Sequence, residues 1–125
     1  MEKQNSKPYD LEERTFKFAK CCRTLIKFLP KTVANIEDEK QLVRSSGSVH
    51  ANFIESVESI SKKDSLHRMK ICRKEAKESR GWLRLIDSGN NIKIQEELDI
   101  LTQEATELTR IFGSIITKQQ NKNDF

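Results

Sequence analysis

The sequence predicts an all-α protein that folds as an antiparallel up-down-up-down four-helix bundle. Four segments carry apolar residues at alternating three-and-four spacing, the period of an amphipathic helix. The 125 residues include only four glycines and two prolines, too few for an all-β fold with a turn roughly every 8–12 residues. Charged residues make up 34% of the chain and hydrophobic residues 35%, a balance that suits long, exposed helices. A three-helix core with the first helix packed elsewhere is the less favoured alternative.

The first predicted helix covers residues 10–29. Asp10 is a suitable N-cap, and Glu12 and Glu13 lie in the first turn, where negative charge interacts favourably with the helix dipole. The helix ends before Pro30, because proline disfavours the helical conformation of the residue that precedes it. The predicted inward residues are Leu11, Thr15, Phe18, Cys22, Leu25, Ile26 and Leu29.

The second predicted helix begins near Ile36, with Asn35 as its N-cap. Residues 44–52 are small and polar, and Gly47 costs about 1 kcal/mol relative to alanine in a helix. We therefore expect another helix to approach closely there. A phosphate-binding glycine loop is the sharper alternative, but it requires several glycines and a preceding strand. The predicted inward residues are Val43, Ser46, Gly47, His50, Phe53, Ile54, Val57 and Ile60.

The third and fourth predicted helices are separated by a polar loop, residues 87–91, in which Gly89 is a suitable helix terminator. Ser61 and Asp64 form the pattern of a capping box at the start of the third helix. The inward residues of the third helix are Met69, Cys72, Ala76, Ser79, Leu83 and Ile86. The fourth helix covers residues 92–117. Its inward residues are Ile94, Leu98, Leu101, Ala105, Leu108, Phe112, Ile115 and Ile116.

The chain is expected to contain one domain with two polar ends. Residues 1–9 are predicted to be a flexible N-terminal segment, residues 10–117 the bundle, and residues 118–125 a flexible tail. Residues 1–8 lack the apolar stretch of a secretory signal. No stretch approaches the roughly 18 consecutive apolar residues that suggest a membrane span. These features predict a cytoplasmic protein with no membrane partner.

Six basic residues form a row along the third predicted helix. At about 100° per residue they fall within an arc of about 120°, opposite the apolar stripe, with Glu75 and Glu78 at its border. Such a row predicts a surface that contacts RNA or DNA phosphates. Base stacking is not expected, because Trp82 is the only aromatic residue in this helix. The alternatives are a solvated face, or pairing with acidic groups of a protein partner. The predicted nucleic-acid-binding residues are Lys70, Arg73, Lys74, Lys77, Arg80 and Arg84.

The sequence predicts no catalytic site, metal site or cofactor. The three cysteines form no CxxC motif and no cysteine–histidine cluster at zinc spacing, and reduced thiols are expected in the cytoplasm. His50 is expected to be a structural histidine and His67 a surface residue. Two carboxylate pairs expected to face outward lack the Glu-x-x-His companions of di-iron bundles. These pairs are Glu96/Glu97 and Glu104/Glu107.

Three strings of the sequence resemble a known protein family. They are residues 29–32 (LPKT), 44–52 (RSSGSVHAN) and 67–83 (HRMKICRKEAKESRGWL). Together they are similar to the 23S rRNA intervening-sequence proteins, which are small bacterial four-helix bundles, and the resemblance extends over residues 9–116. The chain departs from the family pattern at His50, where a small residue such as glycine is expected. It departs again at Gly81, where an aromatic residue would provide a packing contact at the end of the third helix.

The resemblance implies an antiparallel four-helix bundle that assembles into a ring-like homopentamer. A similar fold occurs in the accessory variability proteins of diversity-generating retroelements, which are basic pentamers that bind nucleic acid and a reverse transcriptase. The resemblance implies no catalytic residues, because none is known in the family.

The net charge of +4 is distributed with alternating sign. Residues 1–35 carry +4, 36–61 carry −3, 62–86 carry +6 and 87–125 carry −3. In a four-helix square the two basic helices lie on one diagonal. We hypothesise that faces of opposite sign on adjacent subunits meet in a heterologous contact that closes a ring.

Overall fold

The structure is a computed structural model that describes residues 10–123. Within that range the chain forms four helices and no strand: α1 (Leu11–Ile26), α2 (Val33–Val57), α3 (Lys62–Leu85) and α4 (Ile92–Asn123). Each helix packs against the next along the chain, α1 also packs against α4, and the diagonal pairs do not touch. Because the connections are short, successive helices run antiparallel. The predicted up-down-up-down bundle is confirmed.

Local capping signals place three of the helix starts. Asp10 accepts a hydrogen bond from the backbone N–H of Glu13 at 3.3 Å. Ser61 accepts from the N–H of Asp64 at 3.0 Å. The Asn91 side chain accepts from the N–H of Ile94 at 3.1 Å, so the loop before α4 ends with a cap. Each of these bonds satisfies a donor that the first helical turn leaves without an intrahelical partner.

The predicted start of α2 is wrong by one turn. Thr32 is the N-cap and accepts a hydrogen bond from the N–H of Asn35 at 3.1 Å. Asn35 lies inside the helix, where it is buried. Its amide donates to the carbonyls of Pro30 (3.0 Å) and Asp87 (2.9 Å) and accepts from the N–H of Asp87 (3.0 Å). Both side chains can cap a helix, but Asn35 is needed to hold the α3–α4 loop against α2.

The inward faces of α1, α3 and α4 are confirmed. Every residue predicted for them is buried or packs against the core. The largest fully buried side chains come from all four helices, and they include Phe18, Leu42, Leu83, Leu98, Leu108 and Phe112. In α1, α3 and α4, apolar inward positions alternate with charged outward ones, so the helical period alone identifies the buried stripe.

The inward face of α2 differs from the prediction. Its buried positions are Asn35, Glu39, Leu42, Ser45, Ser46, Val49 and Ser56. Val57 is 60% exposed, and Ile60, beyond the helix end, is 97% exposed. The buried seam is largely polar: the hydroxyls of Ser45 and Ser79 lie 2.8 Å apart across the α2–α3 contact. Because hydroxyls replace apolar groups in this seam, the apolar pattern identifies only part of the buried face: Ser46 is buried and Phe53 packs against the core, as predicted.

The helix α4 continues beyond Thr117, where the sequence analysis ends it, to Asn123. Lysine and glutamine dominate this extension, and both are good helix formers. The predicted flexible segment, residues 1–9, lies outside the described residues, as do residues 124–125. Among the helices between residues 10 and 123, none is both long and apolar enough to cross a membrane.

Candidate nucleic-acid interface

The helix α3 lies between α2 and α4, so its two flanks meet different partners. The flank towards α2 carries the glutamates of the helix. Glu75 and Glu78 accept from Arg44 of α2 at 3.3 and 2.9 Å, and Ser48 donates to Glu75 at 3.3 Å. Desolvation opposes the charge of Arg44, but hydrogen bonds and charge from the two glutamates outweigh it and raise the pKa of Arg44. Glu75 and Glu78 are therefore paired within the bundle, whereas Asp64 in the first turn of α3 is exposed.

The six predicted cations of α3 lie at or near the surface. Lys70, Arg73, Lys74, Lys77 and Arg84 are exposed, and Arg80 is half-buried. None of the six makes an ion pair with a carboxylate in the part of the chain that the structure describes. Trp82 is half-buried and packs against the core, so it offers no free ring on which a base could stack.

Three of these cations converge on a groove between α3 and α4. Arg73, Lys77 and Arg80 line it from α3, and Arg110 lines it from α4. The groove has a volume of about 410 Å³, and no carboxylate is among its lining residues. Arg73 reaches across to α4: a Cβ atom built at Gly113 would lie 3.7 Å from its Nε. Lys70, Lys74 and Arg84 are not part of the groove and lie on the outer surface of α3.

Threonines complete the α4 wall of this groove without adding hydroxyl donors. Thr106, Thr109 and Thr117 each donate their hydroxyl proton to a backbone carbonyl one turn earlier, at 2.9, 2.7 and 3.0 Å. Their outward surface is therefore methyl groups and oxygen lone pairs. The four basic side chains therefore supply the positive charge that a ligand in the groove would contact.

Arg110 is the residue that the sequence analysis missed. It lies in a segment of net negative charge, so charge counting does not single it out. A local signal exists, because the threonines, Arg110 and Gly113 recur at helical spacing on a stripe distinct from the apolar one. Only the packing of α4 against α3 brings that stripe next to the cations.

A second, smaller basic groove lies towards the other end of the same helix pair. Lys62 and Ser65 of α3 and Gln119 and Lys122 of α4 line a space of about 230 Å³. Its lining also contains no carboxylate. The positive surface therefore follows the α3–α4 contact over most of its length.

The two predicted outward carboxylate pairs of α4 differ: Glu96 and Glu97 are exposed, as predicted, whereas Glu104 and Glu107 are half-buried. Glu104 and Glu107 face α1, and Arg14 binds both of them at 2.8 Å. The hydrogen bond to Glu104, together with the charge of both glutamates, raises the pKa of Arg14 despite partial burial. Hydrogen bonds from Gln103 and Arg14 lower the pKa of Glu107. The predicted outward pair Glu104/Glu107 is thus an α1–α4 ion-pair cluster.

His50 and the two buried cysteines, Cys22 and Cys72, have the surroundings of structural residues. Nδ1 of His50 lies 3.0 Å from the Thr15 hydroxyl, and its ring packs edge-on against Phe16 at 5.7 Å between centroids. Burial raises the pKa of both Cys22 and Cys72 to about 12, which keeps these thiols protonated and unreactive. Within residues 10–123 no three His, Cys, Asp or Glu side chains gather in a way that could hold a metal ion.

Comparison with known proteins identifies the family. The model of the 23S rRNA-intervening sequence protein family matches residues 8–114. The chain belongs to this family. The chain is also similar to a solved structure from Bacteroides thetaiotaomicron VPI-5482, described as a protein with unknown function from the S23 ribosomal protein family. The two are 29% identical with a TM-score of 0.71, over 85% of this chain and 97% of the other. No curated protein matches the chain.

The family resemblance inferred from the sequence is thereby confirmed, and its two departures have structural explanations. His50 fills the α1–α2 contact through Thr15 and Phe16. Gly81 is exposed, and a Cβ built there would meet no atom within 4 Å. Gly81 therefore borders open space in the described part of the chain.

Proposed function

We propose that this family member is a non-enzymatic, homo-oligomeric protein of the cytoplasm that binds the backbone of RNA or DNA through the basic face of α3. The observation that carries the proposal is the separation of charge on this helix. Its glutamates are bound by Arg44, whereas five of its six cations are exposed, Arg80 is half-buried, and none has a carboxylate partner among the described residues. A surface with unpaired positive charge binds polyanions by displacing their counterions.

The proposed binding is electrostatic and independent of base sequence. No exposed aromatic side chain accompanies the cations on α3, so base stacking contributes little. If six phosphates are contacted, affinity falls about 10³-fold between roughly 50 and 200 mM salt. Because the family name refers to 23S rRNA, a duplex with an rRNA sequence is the first probe to use.

The test measures fluorescence anisotropy of labelled RNA and DNA duplexes over a range of salt concentrations. The triple variant R73E/K74E/K77E is expected to lose nearly all affinity. The matched control, K17E/K20E/K27E, makes the same charge change at exposed positions near α1 and is expected to retain most of it. Equal losses in the two variants, or affinity that does not depend on salt, would contradict the proposal.

A second candidate function is a protein-interaction module in which nucleic acid has no direct role. Exposed apolar side chains favour it: Phe28, Val33, Val57, Ile92 and Ile100 are all more than half exposed. This alternative expects negligible affinity for nucleic acid in the unmodified protein. It also expects the same charge reversals on α3 to disrupt an oligomer or a complex with a protein partner.

A further inference from the structure

We infer that the groove between α3 and α4 is a binding site for a single phosphate group, and that Arg110 of α4 completes it. This inference deepens the proposed function. It depends on that function for the claim that the phosphate belongs to a nucleic acid, but binding of a phosphate group in the groove does not depend on it. The site differs from the row of cations predicted on α3. It takes only Arg73, Lys77 and Arg80 from that row and adds a residue from the neighbouring helix.

Two helices contribute basic groups to one groove that is open to solvent. Three cations of α3 and Arg110 of α4 line the same 410 Å³ groove. Basic residues on a single exposed helix are common, and solvent screens their charges from one another. Cations that face each other across a groove reinforce a common potential, which is the arrangement that concentrates an anion.

The groove between α3 and α4 has no carboxylate in its lining. The glutamates of α3 are turned towards α2 and bound by Arg44. Glu107 lies one turn from Arg110, but its carboxylate is bound by Arg14 on the opposite flank of α4. The groove cations make no ion pair within residues 10–123, although the charge of Arg110 helps to lower the pKa of Glu107. An external anion would supply the direct partner that the fold does not.

The hydrogen bonding of Arg80 also favours a bound anion. Its Nε atom is buried and has no hydrogen-bond acceptor in the described part of the chain. Buried polar groups are nearly always paired, so this guanidinium is incompletely satisfied by the fold. An arginine of this kind suits a phosphate, whose several oxygens can accept paired hydrogen bonds from the planar guanidinium.

The shape and chemistry of the groove favour a phosphate over a base or an apolar ligand. The hydroxyl protons of its threonines are already donated to helix carbonyls, so the groove has no neutral donors with which to recognise a base edge. Gly113 leaves room above the α4 backbone for the Arg73 guanidinium. Phosphate recognition here is therefore charge-assisted, through three arginines and a lysine.

The test uses inorganic pyrophosphate and a short RNA duplex oligonucleotide as separate probes. Binding is followed by NMR, from the arginine Nε–Hε resonances and the backbone amides of α3 and α4. Pyrophosphate is expected to shift the resonances of Arg73, Arg80 and Arg110. R110Q is expected to weaken pyrophosphate binding about tenfold, and R110K, which keeps the charge without the planar fork, is expected to weaken it less.

The matched control is K93Q, which removes one positive charge from an exposed position of α4 outside the groove. It is expected to change pyrophosphate affinity less than twofold. Thermal unfolding of each variant checks that the bundle is intact, since Arg110 is exposed and makes no ion pair with a described carboxylate.

The outcomes separate this inference from the proposed function. If the oligonucleotide binds but R110Q and K93Q behave alike, the groove inference is overturned while the proposed function stands. If pyrophosphate binds in the groove but the oligonucleotide does not bind, the inference stands, the ligand is a free phosphate compound, and the proposed function fails. Absence of pyrophosphate shifts at the three arginines overturns the inference directly.

Discussion

Buried polar side chains determine how the connections of this bundle are held. Asn35 makes three hydrogen bonds to backbone groups of Pro30 and Asp87. It thereby joins the loop before α2 to the loop after α3. The backbone of a loop that packs against the bundle needs such partners, because unpaired buried polar groups are costly. Gly89 belongs to the same corner: its φ of +66° and a virtual Cβ only 2.7 Å from Pro30 leave no room for a side chain.

Replacement of Asn35 by alanine is expected to lower the free energy of unfolding by about 2–4 kcal/mol. The variant leaves the carbonyls of Pro30 and Asp87 and the N–H of Asp87 without their partner, and each unpaired group costs about 1–3 kcal/mol before solvent compensates it. Urea unfolding followed by circular dichroism measures the change. The control N121A, at an exposed position of α4, is expected to change stability by less than about 0.5 kcal/mol. A similarly small effect of N35A would show that water replaces these bonds.

At the level of helices, the contact between α1 and α4 depends in part on ion pairs. The contact between α1 and α4 is sparse, and apolar grooves of about 480 and 560 Å³ open along it. Arg14 bridges this contact by binding Glu104 and Glu107 together. The guanidinium is half-buried, so solvent screens the interaction less than at an exposed pair.

The variant R14Q is expected to lower the free energy of unfolding by about 1 kcal/mol, the upper end of the range for a pair that is partly exposed to solvent. It is also expected to change the acid sensitivity of the fold. The pKa of Glu107 is lowered in the folded state, so its stabilising contribution is complete above the unfolded value near 4.5 and is lost as pH falls through the folded value. Urea unfolding of both proteins between pH 3 and pH 7 measures this, and R14Q should show a weaker decline at the acidic end.

The comparison that isolates this effect is R44Q, because Arg44 also binds two glutamates but across the tightly packed α2–α3 contact. R44Q is expected to leave unchanged the loss of stability at acidic pH that is assigned to Glu107. An unchanged acid profile in R14Q would contradict the assignment of that response to the α1–α4 cluster.

For the whole molecule, the fold redistributes charge that alternates along the chain. Ion pairs join adjacent helices on two sides of the bundle: Arg14 of α1 binds Glu104 of α4, and Arg44 of the net-negative α2 segment binds Glu75 of the net-positive α3 segment. The exposed charges include a basic surface along α3 and α4 and an acidic patch at the start of α4, besides further cations on α1 and further acids on α1 and α2. The patch consists of Glu96, Glu97 and Asp99, which are all exposed. These two surfaces provide one test of the hypothesis that opposite charges on adjacent subunits meet.

Light scattering coupled to size exclusion is expected to give a mass that is a multiple of 14.5 kDa, with five copies as the expectation from the family resemblance. If the contact joins opposite charges, high salt and the variant E96K/E97K both shift the protein towards monomer. The variant E12K/E13K makes the same charge change on α1 and should leave the mass unaltered. A monomer at both low and high salt contradicts the oligomer.

Much of the bundle is determined by the sequence through local rules. The caps Asp10 and Ser61 and the inward faces of α1, α3 and α4 depend on residues within a turn or two, so period and capping chemistry suffice to find them. The tertiary structure decided the face of α2 and the position of Asn35, because buried polar side chains are stable only next to partners from distant segments. It also decided which cations form a site. Arg110 joins Arg73, Lys77 and Arg80 only through the packing of α4 on α3, and a linear charge pattern carries no information about which helices become neighbours.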